Sequence, residues 1–225
     1  MSSHASASSV RRVSESTIRR LSLYYRALGR LESGGHSTVS SKELARCEQL
    51  TPAQVRKDLS FFGSFGTRGL GYPVSELKSR IARILGIDRT WNIALIGVGN
   101  IGSALVSYKE FQRQGFFIRK LFDNDPAKIG SVHQGLVVSD IALLDTELAA
   151  ADIELVIISV PADCAQEVAQ RCVAAGIKAI LNFAPVNLSV PDDVCLRTEN
   201  MSMELEYLSF SRVNSGRSTK AVWAE

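Results

Sequence analysis

Residues 92–102 read Asn-Ile-Ala-Leu-Ile-Gly-Val-Gly-Asn-Ile-Gly, an apolar stretch that breaks into glycines spaced G-x-G-x-x-G. A continuous apolar run of this kind predicts a strand buried on both faces, as in a parallel sheet. The glycines predict a sharp turn into a helix. Gly97 makes the turn, Gly99 lets the backbone approach a pyrophosphate, and Gly102 lets the helix pack close to the strand. Gly102 is followed by Ser103 rather than Lys-Ser/Thr, which excludes a Walker-type phosphate loop.

The segments beyond this turn extend the pattern. Residues 116–122 form an apolar strand pattern ending at Asp123, about 20 residues past the glycines, where a carboxylate accepts a ribose 2′-hydroxyl and repels a 2′-phosphate. NAD(H) is therefore expected over NADP(H). Helix patterns at 140–149 and 163–175 alternate with strand patterns at 155–160 and 177–181. Such alternation predicts a parallel, doubly wound Rossmann-like sheet. Its carboxyl edge should gather Gly97, Val98, Gly99, Asn100, Ile101, Gly102, Asp123, Pro161, Asn182 and Phe183 into one cofactor crevice.

Charge divides the chain. Residues 1–90 carry 15 Lys and Arg against 7 Asp and Glu, whereas residues 91–225 carry 11 against 16. A basic block joined to an acidic one implies that the first half meets a polyanion. Cys47, Cys164, Cys172 and Cys195 are widely spaced, and His4, His36 and His133 form no metal-ligand pattern with them. Buried free thiols in a reducing cytoplasm, and no metal site, are the expectation. No apolar run approaches the roughly 20 residues of a membrane span, and the Ser-rich start lacks a signal-peptide core. His133 is expected in an exposed loop.

The basic half contains short helix patterns. Ile18, Leu21, Tyr25 and Leu28 suggest one apolar stripe, closed by Gly34-Gly35. Residues 40–43, Ser-Ser-Lys-Glu, form a capping box. Residues 51–54, Thr-Pro-Ala-Gln, form a second, with proline at the first helical position. At about 100° per residue, Val55, Leu59 and Phe62 fall on one side of this third helix, and Arg56, Lys57, Ser60 and Ala53 on the other. Two cations, a hydroxyl and a small residue suit a helix entering a DNA major groove. Residues 63–72 space glycines around Phe65, Thr67, Arg68 and Gly69, a composition that predicts a tight hairpin wing. Arg68 at its tip would reach an A·T-rich minor groove. A helix starting near Pro73, with Leu77, Ile81 and Ile84 inward, should stop at Gly86. Together these elements spell a winged helix-turn-helix.

Residues 55–72 (Val-Arg-Lys-Asp-Leu-Ser-Phe-Phe-Gly-Ser-Phe-Gly-Thr-Arg-Gly-Leu-Gly-Tyr), the glycine turn, residues 123–130 (Asp-Asn-Asp-Pro-Ala-Lys-Ile-Gly) and residues 175–185 (Ala-Gly-Ile-Lys-Ala-Ile-Leu-Asn-Phe-Ala-Pro) resemble the redox-sensing transcriptional repressor Rex family. The likeness runs from about residue 18 to 210. It implies a homodimer that binds palindromic operator DNA when NAD⁺ prevails and releases it when NADH rises. It further implies DNA contacts from Arg56, Lys57, Ser60 and Arg68. Arg26 and Tyr108 match two switch residues. A third, aspartate in the family, falls on Asn200, which removes a charge; the family's Arg26 salt bridge is not expected at this position, while a hydrogen bond stays open.

The resulting division is an arm at 1–13, a winged-helix domain at 14–86, a Rossmann-like domain at 87–198, a helix exchanged between subunits at 199–213 and a tail at 214–225. No general acid or base accompanies the crevice, and too few residues follow the last strand pattern for a substrate lobe, so no catalysis is expected. Two alternatives stay open. One is a small NAD-dependent oxidoreductase whose basic half serves dimerisation. The other is a constitutive DNA binder that holds nucleotide only for structure.

Overall fold

A computed structural model describes residues 13–66 and 70–214. Thr67, Arg68 and Gly69, most of the expected arm, and the tail from residue 215 lie outside the described residues. The chain separates into two compact units, Met1–Arg89 and Thr90–Glu225.

The first unit comprises helix α1 (Glu15–Ser33), strand β1 (Thr38–Val39), helices α2 (Ser41–Cys47) and α3 (Pro52–Ser60), strand β2 (Tyr72–Pro73) and helix α4 (Val74–Leu85). The capping box forms at α2: the Ser40 hydroxyl accepts from the Glu43 amide, and the Glu43 carboxylate accepts from the Ser40 amide. Thr51 caps α3 by accepting from the Gln54 amide at 3.1 Å. The second box is only half made, because the Gln54 side chain donates to Asp58 instead. Between α2 and α3 the chain reverses through Gln49, at φ 55°, while the Leu50 amide donates back to the Ala45 carbonyl. That is a Schellman closure with glutamine at the left-handed position usually held by glycine.

Leu21, Tyr24, Leu28, Leu44, Val55, Leu59, Leu77 and Ile81 form the core of this unit. The stripe on α1 differs from the expected one: Ile18 is 47% exposed, and Tyr24 rather than Tyr25 is fully buried. The helix is rotated because its inward face must meet both α3 and α4. The tip of the expected hairpin wing, residues 67–69, lies outside the described residues. β2 pairs antiparallel with β1, which precedes α2, in the register Thr38–Pro73 and Val39–Tyr72.

The second unit comprises β3 (Trp91–Ile96), α5 (Asn100–Val106), α6 (Lys109–Arg113), β4 (Phe116–Asp123), β5 (Val132–His133), β6 (Leu136–Asp140), α7 (Leu144–Ala150), β7 (Leu155–Ile158), α8 (Ala162–Ala174), β8 (Ala179–Asn182), β9 (Cys195–Thr198) and α9 (Met201–Asn214). The sheet order is β5-β6-β4-β3-β7-β8-β9, parallel except for the β5–β6 hairpin. Strand order reverses between β4-β3 and β3-β7, the topological switch point of a Rossmann-type sheet. Alternate residues of β3 feed opposite cores: Ala94 and Ile96 belong to the one that holds Val168, Ala169 and Cys172 of α8, while Ile93 and Leu95 belong with Leu121 and Val106. This two-sided burial explains the unbroken apolar run.

Three expectations change here. His133 lies in β5, half-buried, rather than in an open loop. β9 adds a strand after residue 182 that the sequence pattern did not suggest. Of the cysteines only Cys172 is buried, its thiol pushed up to about 12 by desolvation, whereas Cys47 and Cys195 are exposed.

Candidate functional site

In the second unit, the ends of β3, β4, β7 and β8 enclose a crevice of about 690 Å³. Its walls include Gly97, Gly99, Asn100 and Ile101 from the glycine turn, Asp123, Pro161 and Phe183. Three other residues expected there do not line it. Val98 is buried beneath the turn, Gly102 is buried where α5 starts, and the Asn182 side chain is fully buried. Asn182 instead ties the following loop, accepting from the Ala184 amide and donating to the Ala184 and Val186 carbonyls at 3.1 and 3.0 Å.

Each glycine has a distinct steric role. At Gly97 the chain takes φ 94°, and an added Cβ would sit 2.6 Å from the Ser159 carbonyl oxygen. At Gly102 a Cβ would collide with the Gly97 carbonyl. At Gly99 a Cβ would meet nothing within 4 Å, so this glycine borders open space. The turn is held from below: the Ser159 hydroxyl donates to the Gly97 carbonyl at 2.8 Å. Open room at Gly99, with crowding at its two companions, is what a phosphate-approach position requires.

Asp123 does more than the sequence suggested. Its carboxylate accepts from the Val98 amide at 2.7 Å, the Asp125 amide at 2.9 Å and the Lys128 ammonium at 3.1 Å. Burial pushes this carboxyl up, and those donors outweigh burial and hold it below the ordinary aspartate value. Three of the roughly four acceptor positions on a carboxylate are thus filled from within the chain. Asp125 and Lys128 join it on the crevice wall, as does Arg171, which is paired with Asp145. Sequence reasoning missed all three. The signal available was the run 123–128, where Lys128 falls five residues after the strand-end acid.

In the first unit, Arg56, Lys57 and Ser60 are exposed on one side of α3, opposite the buried Val55 and Leu59. Arg56 donates to the Ser41 hydroxyl at 3.1 Å, and the Ser60 hydroxyl donates to the Lys57 carbonyl at 2.7 Å. The approach to the wing is braced by Arg80, which stacks 4.0 Å from the Phe65 ring centroid and donates to the Ser64 carbonyl. On the concealed side of α3 the sequence reading overlooked Asp58. It is fully buried and accepts from Arg20, Tyr24 and Gln54.

Arg26 is exposed on α1. Tyr108, at the start of α6, is 53% exposed and packs edge-to-face on Phe111. Asn200 begins α9, its side-chain oxygen accepting from the Ser202 amide at 3.0 Å. Along α9, Met201, Met203, Leu205, Tyr207, Leu208, Phe210 and Val213 are 59–79% exposed. No residue of this helix is buried among the described residues.

Comparison with known proteins accords with this geometry. Residues 88–186 match a CoA binding domain model, and residues 12–60 match the model of a putative DNA-binding protein N-terminus. The redox-sensing transcriptional repressor Rex of Desulfitobacterium hafniense is 46% identical over 89% of this chain and 95% of its own length. The Rex of Carboxydothermus hydrogenoformans is 48% identical over 89% of this chain and 96% of its own. Among solved structures, the Rex-family repressor RSP in complex with β-NAD⁺ and operator DNA superposes with TM-score 0.87 at 40% identity, covering 91% of this chain and 94% of that one. RSP with β-NADH gives TM-score 0.82 at 38% identity, covering 91% and 96%. Both compact units and nearly the whole length are shared, and the chain belongs to the redox-sensing transcriptional repressor Rex family.

Proposed function

We propose that this chain is a homodimeric repressor that binds operator DNA through α3 and is released from it when NADH rises relative to NAD⁺. The observation that carries the reading is the pairing, in one chain, of an exposed Arg56-Lys57-Ser60 helix face with a crevice at the switch point of a Rossmann-type sheet. The relative RSP, described with operator DNA and β-NAD⁺ in one complex and with β-NADH in another, supports the same pairing.

The crevice fits a dinucleotide. Gly99 leaves open the space where a pyrophosphate would lie, and Asn100 and Ile101 continue that wall. Asp123 keeps one acceptor position beyond its three internal donors, enough for one ribose hydroxyl. Asp123 and Asp125 share the single ammonium of Lys128, so this cluster keeps a net negative charge, which disfavours a 2′-phosphate. Pro161 and Phe183 also line the crevice. The cofactor, when bound, serves as a signal of redox state, and hydride transfer is not its role here.

For the DNA side, Arg56 and Lys57 supply donors for guanine edges and phosphates, and Ser60 a shorter one. Thr67, Arg68 and Gly69 would extend the contact from the wing into a minor groove. Arg26, Tyr108 and Asn200 carry the switch that family membership implies, with α9 exchanged between subunits. Asparagine and aspartate cap helices about equally well, so Asn200 keeps the start of α9 while removing a charge. The test is operator binding titrated across NADH/NAD⁺ ratios at constant total nucleotide, beside a hydride-transfer assay. Binding that falls as the NADH share rises, without turnover, supports the reading. Equal binding at all ratios points to a constitutive DNA binder, and turnover points to an oxidoreductase.

A further inference from the structure

Asp58 occupies the side of α3 turned away from Arg56 and Ser60 and is fully buried. Arg20 of α1 grips it with both arms of the guanidinium, Nε to Oδ2 at 2.6 Å and Nη2 to Oδ1 at 2.7 Å. Tyr24 Oη, one turn further along α1 and itself fully buried, donates to Oδ2 at 2.8 Å. Gln54 Nε2 donates to Oδ1 at 2.8 Å, and the Arg20 guanidinium also donates to Thr17 Oγ1 at 3.2 Å. The carboxylate is saturated, and the guanidinium is held in one plane.

Stability alone is a poor account of such a cluster. Holding a carboxylate 1% exposed against a guanidinium 20% exposed costs desolvation, and apolar residues of similar volume often replace such a pair at no net loss. What it supplies that Val55 and Leu59 cannot is direction. Apolar burial is non-directional, whereas a two-pronged guanidinium–carboxylate pair has fixed geometry. α3 is nine residues long, and its apolar anchors cover only part of its circumference. A rotation of about 20° would move a side-chain tip roughly 5–6 Å from the helix axis by about 2 Å. That displacement is larger than the tolerance of a hydrogen bond to a base edge.

We propose that the Arg20–Asp58–Tyr24 clamp fixes the rotation of α3 about its own axis, and so sets the discrimination between operator and other DNA rather than attachment to DNA. The proposal rests on the reading of α3 as the base-contacting helix. These are positioning residues: Asp58 and Tyr24 are buried, and they act through Arg56, Lys57 and Ser60. Phosphate attachment tolerates a small rotation because it is governed by charge, while base contacts do not.

The experiment uses the full chain and two duplexes. One is recovered by repeated selection with the wild-type protein from a randomised pool, and the other is the same duplex with its bases shuffled. Affinities are measured for wild type, Arg20→Lys, the apolar triple variant Arg20→Met/Tyr24→Phe/Asp58→Leu, and Lys57→Ala. Arg20→Lys keeps the charge and loses the fork. The triple variant keeps the volume and leaves no buried polar atom orphaned at those positions.

The selected-to-shuffled affinity ratio should fall at least about tenfold in both clamp variants, the size of one lost base contact, with shuffled-duplex affinity held within about twofold. A ratio kept within about twofold of wild type, or affinities for both duplexes falling together, overturns the proposal, since a merely structural role lowers both in step with the folded fraction. Lys57→Ala separates the two levels. If it weakens selected-duplex binding while the clamp variants keep their ratio, the clamp proposal alone fails. If it leaves selected-duplex binding unchanged, α3 is not the reader and both fail.

Discussion

Gly99 and Gly102 lie three residues apart, and the structure gives them opposite tolerance to a side chain. Valine at 99 would project into open crevice, so the fold should accept it, while the space for a pyrophosphate is lost. Gly99→Val should therefore retain operator affinity and weaken NADH binding by at least about tenfold, roughly 1.4 kcal/mol, as read by titration calorimetry. Undiminished NADH binding would remove Gly99 from the phosphate path. Valine at 102 would run into the Gly97 carbonyl, which is backbone and cannot swing aside. Gly102→Val should lower the melting temperature of the chain as well as its NADH affinity. A variant with native melting behaviour would show that the α5 packing is looser than the close approach implies.

Helices and strands show where sequence pattern is a sufficient guide and where it is not. β3 and the glycine turn were legible because a strand buried on both faces must be apolar throughout, and Gly97 and Gly102 have no steric substitute. The capped starts of α2 and α3 were legible because Ser40, Glu43, Thr51 and Pro52 act through neighbours in sequence. β9 was not legible: it is four residues at a sheet edge, with Cys195, Arg197 and Thr198 exposed, so no apolar run marks it. The β5–β6 hairpin turns on Gln134 and Gly135, both at positive φ, and a glutamine gives no turn signal. Asp58 was missed because its burial depends on Arg20 and Tyr24, more than thirty residues earlier, and a carboxylate on a short helix otherwise reads as surface.

That clamp carries a prediction for acid. Burial pushes the Asp58 carboxyl up, and the bonds from Arg20, Tyr24 and Gln54 with the Arg20 charge outweigh it, so the folded pKa lies below the ordinary aspartate value. Its contribution to stability is complete above the unfolded-state value and disappears as pH falls through the folded one. Melting temperature should decline toward acid more steeply in wild type than in Arg20→Met/Tyr24→Phe/Asp58→Leu. Parallel declines would mean that other carboxylates, Asp123 among them, govern acid sensitivity. α9 carries a different expectation. Seven large apolar side chains on a fourteen-residue helix are more apolar surface than a free terminal helix exposes in a monomer. If α9 joins two subunits, Leu205→Asp/Leu208→Asp should convert the dimer to monomer in sedimentation and weaken operator binding. A dimer that persists would assign that surface to another contact.

In the whole molecule, a redox signal reaches DNA only if the two ligands favour different arrangements of one dimer. If α3 is the reader, its two copies in a dimer meet half-sites at a fixed spacing, so DNA selects among dimer arrangements. NADH alters DNA affinity only by binding those arrangements unequally, and linkage requires the converse effect of equal size. If Arg26 and Asn200 form the switch proposed above, the neutral Asn200 leaves them no ion pair, and the coupling should depend little on charge at that position. The most direct test is the NADH dissociation constant of the full-length dimer, measured with and without saturating selected operator duplex. The account predicts weaker NADH binding on DNA, by the same factor by which NADH weakens operator binding. Equal NADH affinities in the two conditions would contradict it.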